Sequence, residues 1–249
     1  MTEWAVIPEC RVSEVRNLER RTTIVIQANA RGRLRSTDLD LVILLLSRGS
    51  GRRRKELERQ LEQEGPDPLL DATELPERLL AVRTMLVPGE ILFFYVLVRH
   101  ALLEAEVPQA EVADYLAALL LEFGQRDRSN RVAWHDDHSH RYLVDILADL
   151  DESTGERRFR VMVHLGNYAL WLSGLFPHYI EARRLRRGGP DVGYYDALGR
   201  RGYAMASEHV LADHYHLDDV FQTAADRYPT IREALNGLSH RVWFPGGMH

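Results

Sequence analysis

The sequence predicts an all-α protein, a multi-helix bundle of roughly ten helices of ordinary length with little or no β structure. Three observations lead there. Apolar residues recur at helical spacing along most of the chain, glycine and proline fall where helices start and stop, and period-two alternation is scarce. With 249 residues, of which 45% are apolar and 28% charged, the chain can bury a core without a disulfide or metal staple. Its single cysteine, Cys10, excludes an internal disulfide framework.

Taken in order, residues 38–47 and 53–64 read as two short helices, the second lined with Arg and Glu as a solvated face. Residues 75–87 read as a third, and Pro88-Gly89 breaks it before a helix over 90–104. Residues 91–98 are apolar on every side, which places that helix at the centre of the bundle. Val112, Leu116, Leu119, Leu120 and Phe123 form one helical stripe, with Pro108 in a first-turn position and Gly124 at the end. Leu143, Ile146, Leu147 and Leu150 repeat the pattern, with Asp145 and Asp149 expected outward. Thr22–Ile26 is β-branched and Phe159, Val161 and Val163 alternate with longer side chains, but neither run has a hairpin turn, so both are read as helix-compatible. Residues 124–140 are polar and lack periodicity. The expected organisation is an N-terminal helical lobe over 1–125, a linker or functional loop over 126–140, and a C-terminal helical lobe over 141–249. A core shared by both lobes is the alternative.

The net charge of −5 conceals an asymmetry. Residues 1–55 carry 12 bases and 6 acids, giving +6, and the remainder carries −11. Docking of the cationic segment on the acidic remainder is the default expectation. Nucleic-acid binding through Arg11, Arg16, Arg20, Arg21, Arg31, Arg33, Arg35 and residues 52–55 is the bolder one. The opening residues lack a basic stretch followed by an apolar one, and no apolar run approaches the length of a bilayer span, so a cytoplasmic protein without membrane contact is expected.

Three stretches hold residues suited to chemistry. Trp134 to His140 offers three imidazoles and two carboxylates, either as transition-metal ligands or as a helix start capped by Asp137 or Ser139. The second spans Val161 to Arg187; if helical, its His164, Asn167, Trp171 and Gly174 form one stripe that lines a pocket or packs in the core. Beyond Pro177, Arg183, Arg184, Arg186 and Arg187 crowd a helix end before Gly188-Gly189-Pro190, as a dipole-complementing last turn or as an anion clamp. In the third stretch, Tyr195, Leu198, Gly202, Met205 and His209 share a face, and Gly199, Gly202 and Ala206 suit close helix contact. His178, Glu181, His209 and Asp213 would together supply imidazole and carboxylate ligands, although the Glu-x-x-His order of di-metal bundles is reversed at 178–181 and has no second copy.

Phosphate-loop, dinucleotide, nucleophile-elbow, Cys-x-x-Cys and His-Glu-x-x-His signatures are absent. The sequence therefore predicts a non-catalytic helical binding or regulatory module whose partner is a protein or a small anionic ligand. The binding residues would be His164, Asn167, Trp171, Arg183, Arg184, Arg187 and Tyr195. No cofactor is expected on this reading. The alternative is an oxidase-like helical-bundle enzyme holding a divalent transition metal on His178, Glu181, His209 and Asp213.

Overall fold

Helix boundaries follow local chemistry. The structure, a computed structural model, describes residues 26–82, 89–125, 128–133, 136, 139–140 and 142–243. Among these residues there are thirteen α-helices, two single-turn 3-10 helices (Arg31–Arg33 and Arg128–Asn130) and no strand. The N-terminal helices are α1 (Ser36–Ser47), α2 (Gly51–Glu64), α3 (Asp67–Leu70), α4 (Leu75–Val82), α5 (Glu90–Glu104) and α6 (Ala110–Phe123). After the polar stretch come α7 (Leu143–Glu152), α8 (Gly155–Leu175), α9 (Pro177–Arg187), α10 (Val192–Ser207), α11 (Val210–His214), α12 (Asp218–Asp226) and α13 (Tyr228–Trp243).

Ser50 caps α2 by accepting from the Arg53 backbone N–H, and Asp191 caps α10 by accepting from that of Tyr194. Pro177 opens α9, where its missing N–H costs nothing. Gly188 closes α9 at φ +63°, a conformation that glycine adopts without strain. Two details depart from expectation. Pro108 lies just ahead of Gln109, the residue that precedes α6, rather than in the first turn, whereas Gly124 ends α6 as expected. Tyr142, not Asp137 or Ser139, immediately precedes α7, and Asp145 accepts from its backbone N–H at 3.2 Å. The alternating run at 159–163 lies inside α8, in line with its helix-compatible reading. Of the 22–26 run only Ile26 is described, and Cys10 and the arginines of residues 1–25 lie outside the described residues.

The buried apolar side chains form one contiguous cluster from Ile26 to Val242. α8 runs through its middle, with α6, α7, α9, α10 and α13 packed around it and the α8–α10 contact the most extensive. Small residues explain that contact. A Cβ on Gly202 of α10 would stand 2.6 Å from the Gly166 backbone nitrogen of α8 and 2.9 Å from the Met162 carbonyl oxygen. Tyr203 in turn covers the Gly166 side of the crossing, where an added Cβ would sit 2.7 Å from its ring. The face of small residues read from Gly199, Gly202 and Ala206 is therefore a helix-packing face.

The cationic N-terminal segment meets acids where it is described. Arg31 donates to buried Asp114 from its backbone N–H and Nε at 2.7 and 2.8 Å, and its guanidinium reaches Asp67 and Glu111 as well. Arg35, Arg53 and Arg54 pair with Asp38, Glu56 and Glu58, three or four residues further on. Four cations of the +6 segment thus have carboxylate partners inside the chain.

Candidate functional site

Of the buried polar residues of α8, His164 and Asn167 face different neighbours. Asn167 Oδ1 accepts from the hydroxyls of Tyr115 on α6 and Tyr203 on α10, each at 2.8 Å. Tyr115 meets Phe221 of α12 edge-on and Tyr203 stacks on the same ring. Asn167 is thereby committed to joining α6, α8 and α10. His164 lies along another edge, against Phe123 and Tyr168, with ring centroids 5.8 and 5.9 Å away. Trp171 continues that edge, half-buried between Phe123 and Phe176. Gly174 takes Leu235 of α13 at close range instead of opening a pocket. The stripe is thus divided between packing partners.

A charged layer lies near His164. Asp149 of α7 accepts from Ser153 Oγ at 2.7 Å and from the Arg157 guanidinium, which also donates to Asp136 at 2.7 Å. His140 Nε2 approaches Asp149 to 3.1 Å without the alignment of a hydrogen bond. Buried Arg128 contacts Glu122 and donates to the Arg131 carbonyl. Asp149, expected outward, is a corrected reading: α7 packs on α8, so the Asp149 carboxylate turns to the cation on its neighbour. Burial pushes the Asp149 carboxyl upward, but Arg157 and Ser153 outweigh it and hold the group below its ordinary range.

His164 Nε2 has no hydrogen-bond partner among the described residues. Burial, reinforced by Arg128, His140 and Arg157, holds the imidazole pKa well below its ordinary value, so the ring is neutral. In the unfolded chain the same ring takes a proton near pH 6.5. Below that pH the unfolded chain binds more protons, and the stability present above it is lost as pH falls toward the folded-state value. Urea midpoints measured at about pH 7.5 and about pH 5 should therefore fall with acid in the parent chain and fall less in His164→Phe. Identical losses in both would show that His164 is not the group responsible.

The four residues of the metal reading are not brought together. Glu181 accepts two hydrogen bonds from Arg184, and exposed His178 lies edge-on to His240 of α13. His209 caps α11 through Nδ1 and stacks on Phe159, while Asp213 is exposed on α11. His209 thus sits by the N-terminal part of α8 and His178 follows its C-terminal end. Phe159 and Leu175 are separated by about 24 Å of helix rise. Among the described residues no group of three or more His, Cys, Asp or Glu side chains is placed to hold a metal ion. Trp134, His135, Asp137 and His138 lie outside the described residues.

The arginine-rich end of α9 is built differently from the other charged sites. α9 buries only Ile180, so most of its surface faces outward. Arg183 lays its guanidinium 4.5 Å from the centre of the Tyr142 ring, a cation–π contact between α9 and the residue preceding α7. Tyr179 and Tyr194 are exposed beside it, and Tyr195 and Tyr168 are buried close by. Tyr194 meets Tyr195 edge-on at 6.2 Å. Burial raises the Tyr168 and Tyr195 hydroxyls, each against the opposing pull of Arg183, so both remain protonated.

Among the described residues, Arg183, Arg186 and Arg187 form no ion pair, whereas Arg31, Arg99, Arg157 and Arg232 all hold carboxylates. The Tyr142 ring holds the Arg183 guanidinium in place without taking up its N–H donors, and a guanidinium fork is suited to grip a carboxylate or phosphate. Arg184 is spent on Glu181. Of the residues expected to bind, Arg183 and Arg187 therefore belong to this face, Tyr195 is buried close by, and His164 and Asn167 belong to the interior. Tyr142 and Tyr179 were not among the expected binding residues, although Tyr179, Arg183 and Arg187 follow one another at i, i+4 and i+8.

Compared with protein-family models, with curated proteins and with solved structures, the chain gives no match.

Proposed function

We propose that the chain is a non-catalytic helical binding module that captures an anionic ligand on the face formed by Tyr142, α9 and the first turn of α10. The observation that carries this reading is Arg183, held over the Tyr142 ring and, like Arg186 and Arg187 beside it, without an ion-pair partner among the described residues. A cation held in place by an aromatic ring has lost much of its conformational freedom before any ligand arrives, which lowers the ordering cost of binding. The proposal includes a cytoplasmic setting. No helix among the described residues is long and apolar enough to cross a membrane.

The test is fluorescence anisotropy with a short labelled polyglutamate. Wild-type protein should bind it with an affinity that falls as salt rises. Arg183→Glu should weaken binding at least about tenfold, roughly 1.4 kcal/mol. Equal binding by the parent and the variant would move the site elsewhere, and undetectable binding by the parent would remove the proposal.

A further inference from the structure

Resting on that reading, we infer that the ligand is an acidic segment of a partner protein in which carboxylates are interspersed with apolar side chains. The cations occupy a short stretch: Arg183 and Arg187 are about 6 Å apart along the helix axis, room for one or two carboxylates but not for an extended run of phosphates. Exposed aromatic rings flank them. Tyr142, Phe176 and Tyr179 are exposed. Phe176 is backed by Trp171. Tyrosine and arginine at the middle with apolar neighbours is the composition of protein-binding hot spots.

The same features argue against a nucleic acid. Base stacking needs free aromatic faces. Arg183 covers one face of Tyr142, and Tyr194 and Tyr195 stand edge to face. Beyond residues 1–55 the chain carries −11, which opposes a long polyanion. A short acidic segment can stay within one Debye length of the arginines, about 8 Å at physiological salt.

Three labelled probes separate the possibilities by anisotropy: an amphipathic peptide alternating Glu with Leu and Phe, its Gln-for-Glu counterpart, and an oligothymidylate. The acidic amphipathic peptide should bind tightest. Its neutral counterpart, and separately Tyr179→Ala and Arg187→Glu assayed with the acidic peptide, should each bind about tenfold more weakly. Both variants alter exposed side chains, and unchanged thermal midpoints would confirm that they fold. Oligothymidylate binding tighter than the peptide through Arg183 would overturn the inference and leave an anion site standing. So would a Tyr179→Ala variant that binds the acidic peptide as the parent does. Failure of all three probes and of polyglutamate would overturn the anion site as well.

Discussion

Gly202→Val is expected to cost most of the folding stability, on the order of 4 kcal/mol out of a total of about 5–15 for a typical domain. The valine Cβ would lie 2.6 Å from a backbone nitrogen and 2.9 Å from a backbone oxygen of α8, and neither can rotate away. Gly166 cannot retreat easily either, because Tyr203 returns from α10 to cover it. α10 would have to lift from α8, loosening Tyr203, Ala206 and the Asn167 hydrogen bonds together. Gly237→Ala on α13 is the internal control. An added Cβ there meets nothing within 4 Å, so relief of glycine's helix penalty should leave stability unchanged or raise it by about 0.5–1 kcal/mol. Urea denaturation followed by circular dichroism reads both. A Gly202→Val midpoint equal to that of the parent would mean that the helices do not meet at this glycine pair.

The second large effect concerns Asn167→Leu, which keeps the side-chain size but removes the acceptor for two buried hydroxyls. Each hydroxyl left without a partner costs about 1–3 kcal/mol, so a loss of about 3 kcal/mol is expected. Because the penalty lies in the stranded donors, replacing Tyr115 and Tyr203 by phenylalanine in the Asn167→Leu background should restore part of the stability. A triple variant no more stable than Asn167→Leu alone would contradict the shared-acceptor arrangement. Both effects concern the scaffold and leave the chemistry of the Arg183 face untouched.

How far the sequence carries depends on the range of the interaction. α5 is bounded as expected at Glu90 and Glu104, because an all-round apolar run after Pro88-Gly89 leaves little choice. The stripe from Val112 to Phe123 is buried throughout. α2 begins at Gly51, two residues earlier than its charge pattern indicates, because Ser50 supplies the cap. Gly199 and Gly202 announce a close contact, but their partners do not share their stretch of sequence: Gly166 belongs to α8 and the Tyr228 hydroxyl to α13. Asn167 and Tyr115 are likewise 52 positions apart.

Residue type was legible at the candidate sites, and side-chain direction was not. Glu181 has the chemistry of a metal ligand yet turns to Arg184 three residues on. Asp149 has the spacing of a solvated residue yet turns to Arg157, because α7 lies on α8. The cluster of arginines ending α9 was visible as composition. The ring that fixes Arg183 belongs to Tyr142, which only tertiary packing brings within reach.

Hydrogen–deuterium exchange on the full chain, with and without saturating acidic amphipathic peptide, tests most directly whether this face is the binding surface. Slowed exchange should be confined to residues 142–146 and 176–195, the start of α7 and the stretch from α9 into the first turn of α10. Slowing centred on α2 and residues 31–35, with 176–195 unchanged while the peptide is bound, would contradict it.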